Sequence, residues 1–235
     1  MSDPAPPRRE PDEDDARHGR LTARPRPPVG PAAAGLTTLT DPDGRPLGLR
    51  YAPEPVADRA YRLVLLLHGA GGEARHALNL LLPLADEHHL LLVAPQAATS
   101  SWDLIVEGFG VDVRRIDDLL TRAFTEYPVR DVVLGGFSDG ASYALSLGLT
   151  NGDLVAGVVA FSPGFSAPLV THGQPRVFVA HGVDDRVLPV DVCSRRLVPR
   201  LHDLGYDVTY REFPGGHEVP PDIREAAATW LTTLP

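Results

Sequence analysis

Five runs of the chain are apolar at nearly every position: RLVLLL (62–67), LLLVAP (90–95), DVVLGGF (131–137), LVAGVVAF (154–161) and PRVFVAH (175–181). Runs of this length without a polar face predict strands buried on both sides, as in a parallel sheet covered by helices. YDVTYREF (206–213) alternates apolar and polar residues and predicts a strand near the sheet edge. GLTTLT (35–40) and PLGLRY (46–51) flank the turn signal DPDG and predict a hairpin. Between the strands the apolar spacing becomes helical. Ala77, Leu81, Leu84 and Ala85 make one face; Ile116, Leu119, Leu120, Ala123 and Phe124 a second; Leu197, Val198, Leu201 and Leu204 a third; Ile223, Ala226, Ala227, Trp230, Leu231 and Leu234 a fourth. Buried strands alternating with one-sided helices predict an α/β fold with a mostly parallel central sheet and helices on both faces. Such sheets bind ligands at the carboxyl ends of their strands.

From residue 34 onward the pattern predicts a single domain, and 235 residues, 43% of them hydrophobic, suffice for one substantial core. Residues 1–33 are dense in Pro, Arg, Asp and Glu and carry few large apolar side chains. They predict a disordered, solvated tail, with a partner-binding segment as the alternative.

A formal net charge of -9 argues against a nucleic-acid partner, which draws its affinity from clustered positive charge. All 22 Lys and Arg residues are arginine, which excludes chemistry that needs a P-loop or Schiff-base lysine. Cys193 stands alone, so no intrachain disulfide or multi-cysteine zinc site can form, and it reads as a small buried hydrophobe. The N-terminal residues lack the apolar stretch of a signal peptide, and no run approaches the roughly 18 residues of a membrane span. A cytoplasmic location with no membrane span is expected. The pattern is compatible with a monomer or a homodimer.

Four predicted strand ends carry a chemical group: His68 to Gly72 in LLLHGAGG, Ser138 in GGFSDG, Asp184 and Asp185 in VAHGVDD, and His217 in FPGGHE. G-x-S-x-G alone is a weak signal. Here it joins a predicted strand to a helix with small residues at Ala141, Ala144 and Gly148, where a tight turn needs glycines at 136 and 140. A serine hydroxyl is a poor nucleophile until a base removes its proton and a carboxylate orients that base. The chain supplies them in the order Ser138, then Asp184 or Asp185, then His217, the order of α/β-hydrolases. His68 and His181, each followed by glycine, read as structural strand-end residues, and Ser162 as a loop residue near the site. DEHH (86–89) reads as a solvated helix terminus, because consecutive residues there point in different directions.

LLLHGAGG, GGFSDG, HGVDDRVLP and GGHEVP, in this order and on these elements, resemble the carboxylesterase/phospholipase family of serine α/β-hydrolases, which includes acyl-protein thioesterases. The resemblance covers about residues 60–235. It implies Ser138 as nucleophile, His217 as base, Asp185 as acid, and the backbone N–H groups of Ala70 and Asp139 as the oxyanion hole. Family members often have glutamine after the serine and a second glycine beyond, where this chain has Asp139 and Ala141; the backbone donor survives both changes.

The expected reaction is hydrolysis of a small carboxylic ester or thioester of a short to medium acyl group, or of a lysophospholipid-like substrate, through an acyl-enzyme, with no cofactor and no metal. A peptidase or amide hydrolase using the same triad, and a non-catalytic binding protein of the same fold, are the alternatives. The loop SPGFSAPLVTHGQP is too short and too rich in Pro and Gly for a lid domain, which predicts an open site. Its walls are expected from Trp102, Phe165 and Leu169.

Overall fold

A computed structural model describes residues 13–30 and 33–235. Eight strands form one sheet: β1 (Gly35–Thr40), β2 (Pro46–Ala52), β3 (Tyr61–Leu67), β4 (Leu90–Pro95), β5 (Val129–Phe137), β6 (Val155–Phe161), β7 (Arg176–Gly182) and β8 (Val208–Phe213). Their order is β1-β2-β4-β3-β5-β6-β7-β8. β2 runs antiparallel to both neighbours, and every other pair is parallel. The five apolar runs form the middle of the sheet, and alternating β8 and the hairpin form its edges.

Successive residues of the central strands feed two cores. Leu63, Leu65, Leu134 and Val177 face one side, with the short α4 (Asp103–Val106), α5 (Val111–Glu126), α6 (Asp139–Thr150) and α7 (Ser194–Asp203). Val64, Leu66, Val133 and Phe178 face the other, with α2 (Ala74–Leu78) and α8 (Pro221–Leu231). Each such side chain contributes roughly 1.5–3 kcal/mol by burial, which is why strands serving both cores carry no polar face.

Several expectations change. The face from Ala77 to Ala85 does not form one helix: α2 ends at Leu78, a 3-10 turn spans Leu82–Leu84, and α3 covers only Ala85–His88. Pro83 inside that turn cannot donate a helical hydrogen bond, and Leu84 is only half-buried. Leu204 lies past the end of α7 and is 65% exposed. His89 is no solvated terminus, since its ring is buried and stacks on Tyr61 at 4.3 Å.

The largest difference is in residues 13–30, expected within a disordered tail. Here α1 (Glu13–Arg17) and the strap behind it lie across α5 and the end of α6, burying Ala16, Leu21 and Ala23. The wholly buried Asp117 accepts from Thr22 N (2.7 Å), Ala23 N (2.8 Å) and Thr22 Oγ1 (2.8 Å). Asn151 accepts from Leu21 N and donates to the Gly19 carbonyl, and Arg20 pairs with Asp153. These partners lie over ninety residues away in sequence, so local composition does not reveal them. The rest of the expected tail, residues 1–12 and 31–32, lies outside the described residues.

Strand register sets the site. Leu67 pairs with Gly136, Phe137 with Phe161, Phe161 with Ala180, and Gly182 with Phe213. The segments leaving β3, β5, β7 and β8 therefore emerge together at the carboxyl ends of the parallel strands. Residues 162–175, between β6 and β7, contain no helix. No helix among the described residues is long and apolar enough to cross a membrane.

Candidate active site

Ser138 occupies the turn from β5 into α6 with φ 57° and ψ -122°, a region that non-glycine residues enter only at a cost of about 1–3 kcal/mol. The turn is held from both sides. Ser138 N donates to the Phe161 carbonyl (2.9 Å), and the Ser138 carbonyl accepts from Ala141 and Ser142 N. A Cβ on Gly136 would overlap the Gly140 carbonyl, and one on Gly140 would overlap the carbonyl oxygens of Leu67 and His68. The two glycines thus serve different contacts: one closes the turn, the other lets α6 begin against the end of β3.

His217 follows β8, with its ring 4.6 Å from that of Phe137. Its Nδ1 lies 2.6 Å from Asp185 Oδ2 and its Nε2 lies 2.9 Å from Ser138 Oγ. A carboxylate only accepts, so Nδ1 carries the proton and Nε2 accepts from the serine hydroxyl. Asp185 is buried, and its Oδ1 accepts from Val187 N (2.9 Å) and Leu188 N (2.8 Å). Burial opposes the charge on Asp185, but His217 and these two N–H groups outweigh it and hold the carboxyl below its usual range. Asp184, the alternative acid, is exposed, and its backbone N–H donates to the Gly215 carbonyl, tying the two loops together.

The segment after β3 lies against the elbow, since a Cβ on Gly69 would sit 3.2 Å from Ser138 Cβ. Gly72 N donates to the Gly69 carbonyl and Gly71 N to the Ser100 carbonyl. Neither Ala70 N nor Asp139 N, the two expected oxyanion donors, is engaged in the backbone hydrogen bonds of these turns. His68 braces this loop: its Nε2 accepts from Ala97 N (3.2 Å), so Nδ1 carries the proton and donates to the Gly69 carbonyl (2.8 Å). Burial lowers its pKa and favours this neutral ring.

Trp102 is not a wall of the site. It is wholly buried, donates from Nε1 to the His68 carbonyl (2.8 Å) and packs between His68 and Tyr143. An indole this large, with its N–H satisfied, supports the loop from behind. Phe165 borders a cavity of about 350 Å³ lined also by Leu149, Cys193, Leu197 and Leu201, and Leu169 is 59% exposed. His217 borders a separate cleft of about 240 Å³ with His76, Leu80, Phe137, Val219 and Arg224. No local pattern singles out these cleft residues, since they come from three separate segments. The Asp139 carboxylate accepts from Ser101 Oγ (2.7 Å).

The pattern of the phospholipase/carboxylesterase family matches residues 106–234, more than half of the chain and the part that contains Ser138, Asp185 and His217. The chain belongs to this family. The crystal structure of esterase PE8 superimposes with a TM-score of 0.65 at 26% identity, covering 86% of this chain and all of that one. A fluorophosphonate-binding serine hydrolase of Staphylococcus aureus gives a TM-score of 0.69 at 17% identity over 87% of this chain and 100% of that one, a likeness of fold. The architecture of this family member is the α/β-hydrolase fold. In sequence it is 32% identical over 117 residues to acyl-protein thioesterase 1 of Gibberella zeae, which is 44% of this chain and 48% of that protein. It is 33% identical over 120 residues to acyl-protein thioesterase 1 of Mycosarcoma maydis, 46% of this chain and 50% of that protein. The chain thus spans about half the length of the curated relatives it matches.

Proposed function

We propose that this protein is a serine hydrolase that cleaves carboxylic esters and thioesters of short to medium acyl groups through an acyl-enzyme on Ser138. The hydrogen-bonded chain from Ser138 through His217 to the buried Asp185, at 2.9 and 2.6 Å, carries this reading. His217 Nε2 takes the hydroxyl proton as Ser138 Oγ attacks the acyl carbonyl, and gives it to the departing alcohol or thiol. Water, deprotonated by the same nitrogen, then releases the acid. Asp185 keeps the imidazole in the tautomer that leaves Nε2 free and stabilises the imidazolium. The N–H groups of Ala70 and Asp139 receive the negative charge of the tetrahedral intermediate; losing one donor of this kind costs about 10²–10³ in turnover.

The β6–β7 connection, which carries no helix, supports an uncapped site. The thioesterase names of the two fungal relatives support thioesters beside oxygen esters. A fluorophosphonate probe tests the reading. It is expected to label the wild type and to leave Ser138→Ala unlabelled, with both folded by circular dichroism. Equal labelling of the variant, or a folded wild type that neither labels nor hydrolyses a chromogenic ester, overturns it.

A further inference from the structure

We infer that His181 and Ser194 form an outer arm of the site that positions the Asp185 carboxylate for His217, an inference that rests on the triad reading above. His181, at the end of β7, and Ser194, the first residue of α7, are both wholly buried. His181 Nε2 faces two oxygens, the Leu188 carbonyl at 2.8 Å and Asp185 Oδ2 at 3.3 Å. A carbonyl and a carboxylate oxygen only accept, so Nε2 carries the proton. Burial keeps the ring neutral, against the pull of Asp185. Nδ1 is therefore an acceptor, and the Ser194 hydroxyl, 2.7 Å away, donates to it. The polarity of the whole chain is thus decided: Ser194 O–H to His181 Nδ1, and His181 Nε2–H to the loop that holds the acid.

This arm grips the acid twice. Its N–H donates to the Leu188 carbonyl, and Leu188 N is one of the two donors on Asp185 Oδ1. The same N–H faces Oδ2, the oxygen that accepts from His217. Val187 N and Leu188 N on Oδ1 and His217 Nδ1 on Oδ2 hold the carboxylate in one orientation, and the His181 N–H, 3.3 Å from Oδ2, closes the remaining side. Any buried histidine needs a partner on each ring nitrogen; what makes this one a positioning residue is that the Ser194 donor fixes the tautomer whose Nε2–H faces the loop and the carboxylate of the acid.

The test compares His181→Phe, His181→Gln and Ser194→Ala with the wild type on a chromogenic acetate ester, and follows the low-field proton resonance of the His217 Nδ1–H. His181→Phe, which keeps ring volume but donates nothing, is expected to lower kcat and the rate of fluorophosphonate labelling roughly 10- to 100-fold, the size of effect that loss of a hydrogen-bonded outer partner has in metal sites. KM should stay within about twofold, because the substrate does not touch this arm. His181→Gln, whose amide reaches the place of Nε2, should recover most of that loss. Ser194→Ala, which leaves the His181 ring in place, should lower kcat by a smaller factor, about 3- to 10-fold, below the range for loss of the ring itself, and shift the His217 resonance. A folded Ser194→Ala with wild-type kcat and an unmoved resonance overturns the inference, and decides alone if His181→Phe does not fold. A KM effect without a kcat effect also overturns it. A wild type that neither labels nor hydrolyses any ester instead brings down the triad reading, and this inference with it.

Discussion

At Ser138 the backbone is held in an unfavourable region by contacts that only glycine permits on either side. Gly140→Ala would drive a Cβ into the Leu67 and His68 carbonyl oxygens, at the point where the elbow meets the proposed oxyanion loop. The expected result is a loss of about 1–3 kcal/mol of stability, typical of overpacking, together with loss of fluorophosphonate labelling; calorimetry and labelling would check both, and an unaltered melting curve would show that the close approach is dispensable. The G-x-S-x-G spacing made this residue legible in the sequence. The choice between Asp184 and Asp185 was not, because it depends on which carboxylate the turn after β7 directs inward. Behind the same site lies a pair of carboxyl groups, buried Asp112 and half-buried Asp103, in which Asp112 accepts from Ala98 and Asp103 N while Asp103 accepts from Asp112 N and Tyr143 Oη. Burial, aided by the Asp103 carboxylate and opposed by the N–H donors, pushes Asp112 up to about 6. A carboxyl raised in the folded state stabilises fully below its unfolded pKa, and that stability is lost as pH rises through the folded value. Between about pH 4 and pH 7 the wild type should therefore lose on the order of 3 kcal/mol relative to Asp112→Asn. Urea unfolding across that range would measure the difference, and parallel curves for the two proteins would contradict it.

At the scale of elements, the β6–β7 connection is not a free loop. Ser142 Oγ on α6 accepts from Gly164 N (2.9 Å), and Ser146 Oγ, one turn later, accepts from Ala167 N (2.9 Å). Each hydroxyl also donates back along the helix, Ser142 to the Ser138 carbonyl and Ser146 to the Ser142 carbonyl. The helix that begins at the proposed nucleophile thus lays out the loop that carries Phe165. Ser146→Ala should leave Ala167 N–H to solvent at a cost of about 0.5–1.5 kcal/mol, read as faster amide exchange at Ala167 with unchanged exchange in β5. Unchanged exchange at Ala167 would mean the hydroxyl does not hold the loop. The strands were legible because a strand serving two cores has no polar face, which a short window reveals. The broken helix around Pro83 and the buried Trp102 were not, because apolar spacing records that a side chain is covered but not what covers it.

For the molecule as a whole, the strap formed by residues 13–30 ties down α5 and the end of α6, over ninety residues further along the chain. Removing residues 1–30 would strip three donors from the wholly buried Asp117 and uncover the surface under Ala16, Leu21 and Ala23. A loss of roughly 3 kcal/mol is expected, or about 6–12 °C in Tm for a protein of this size. The truncated protein should still label at Ser138, whose partners lie elsewhere; an unchanged Tm would show that the strap adds nothing. The sequence by itself determined the two-sided sheet, its helical layers and the chemical groups at four strand ends, because periodicity and residue type are local properties. Only the tertiary structure decided that Asp185 and not Asp184 meets His217, that Trp102 supports the site from within, and that a polar, proline-rich strap packs. Each of those outcomes depends on a buried polar group finding its partner across the fold, and such a partner leaves no mark in the neighbouring sequence.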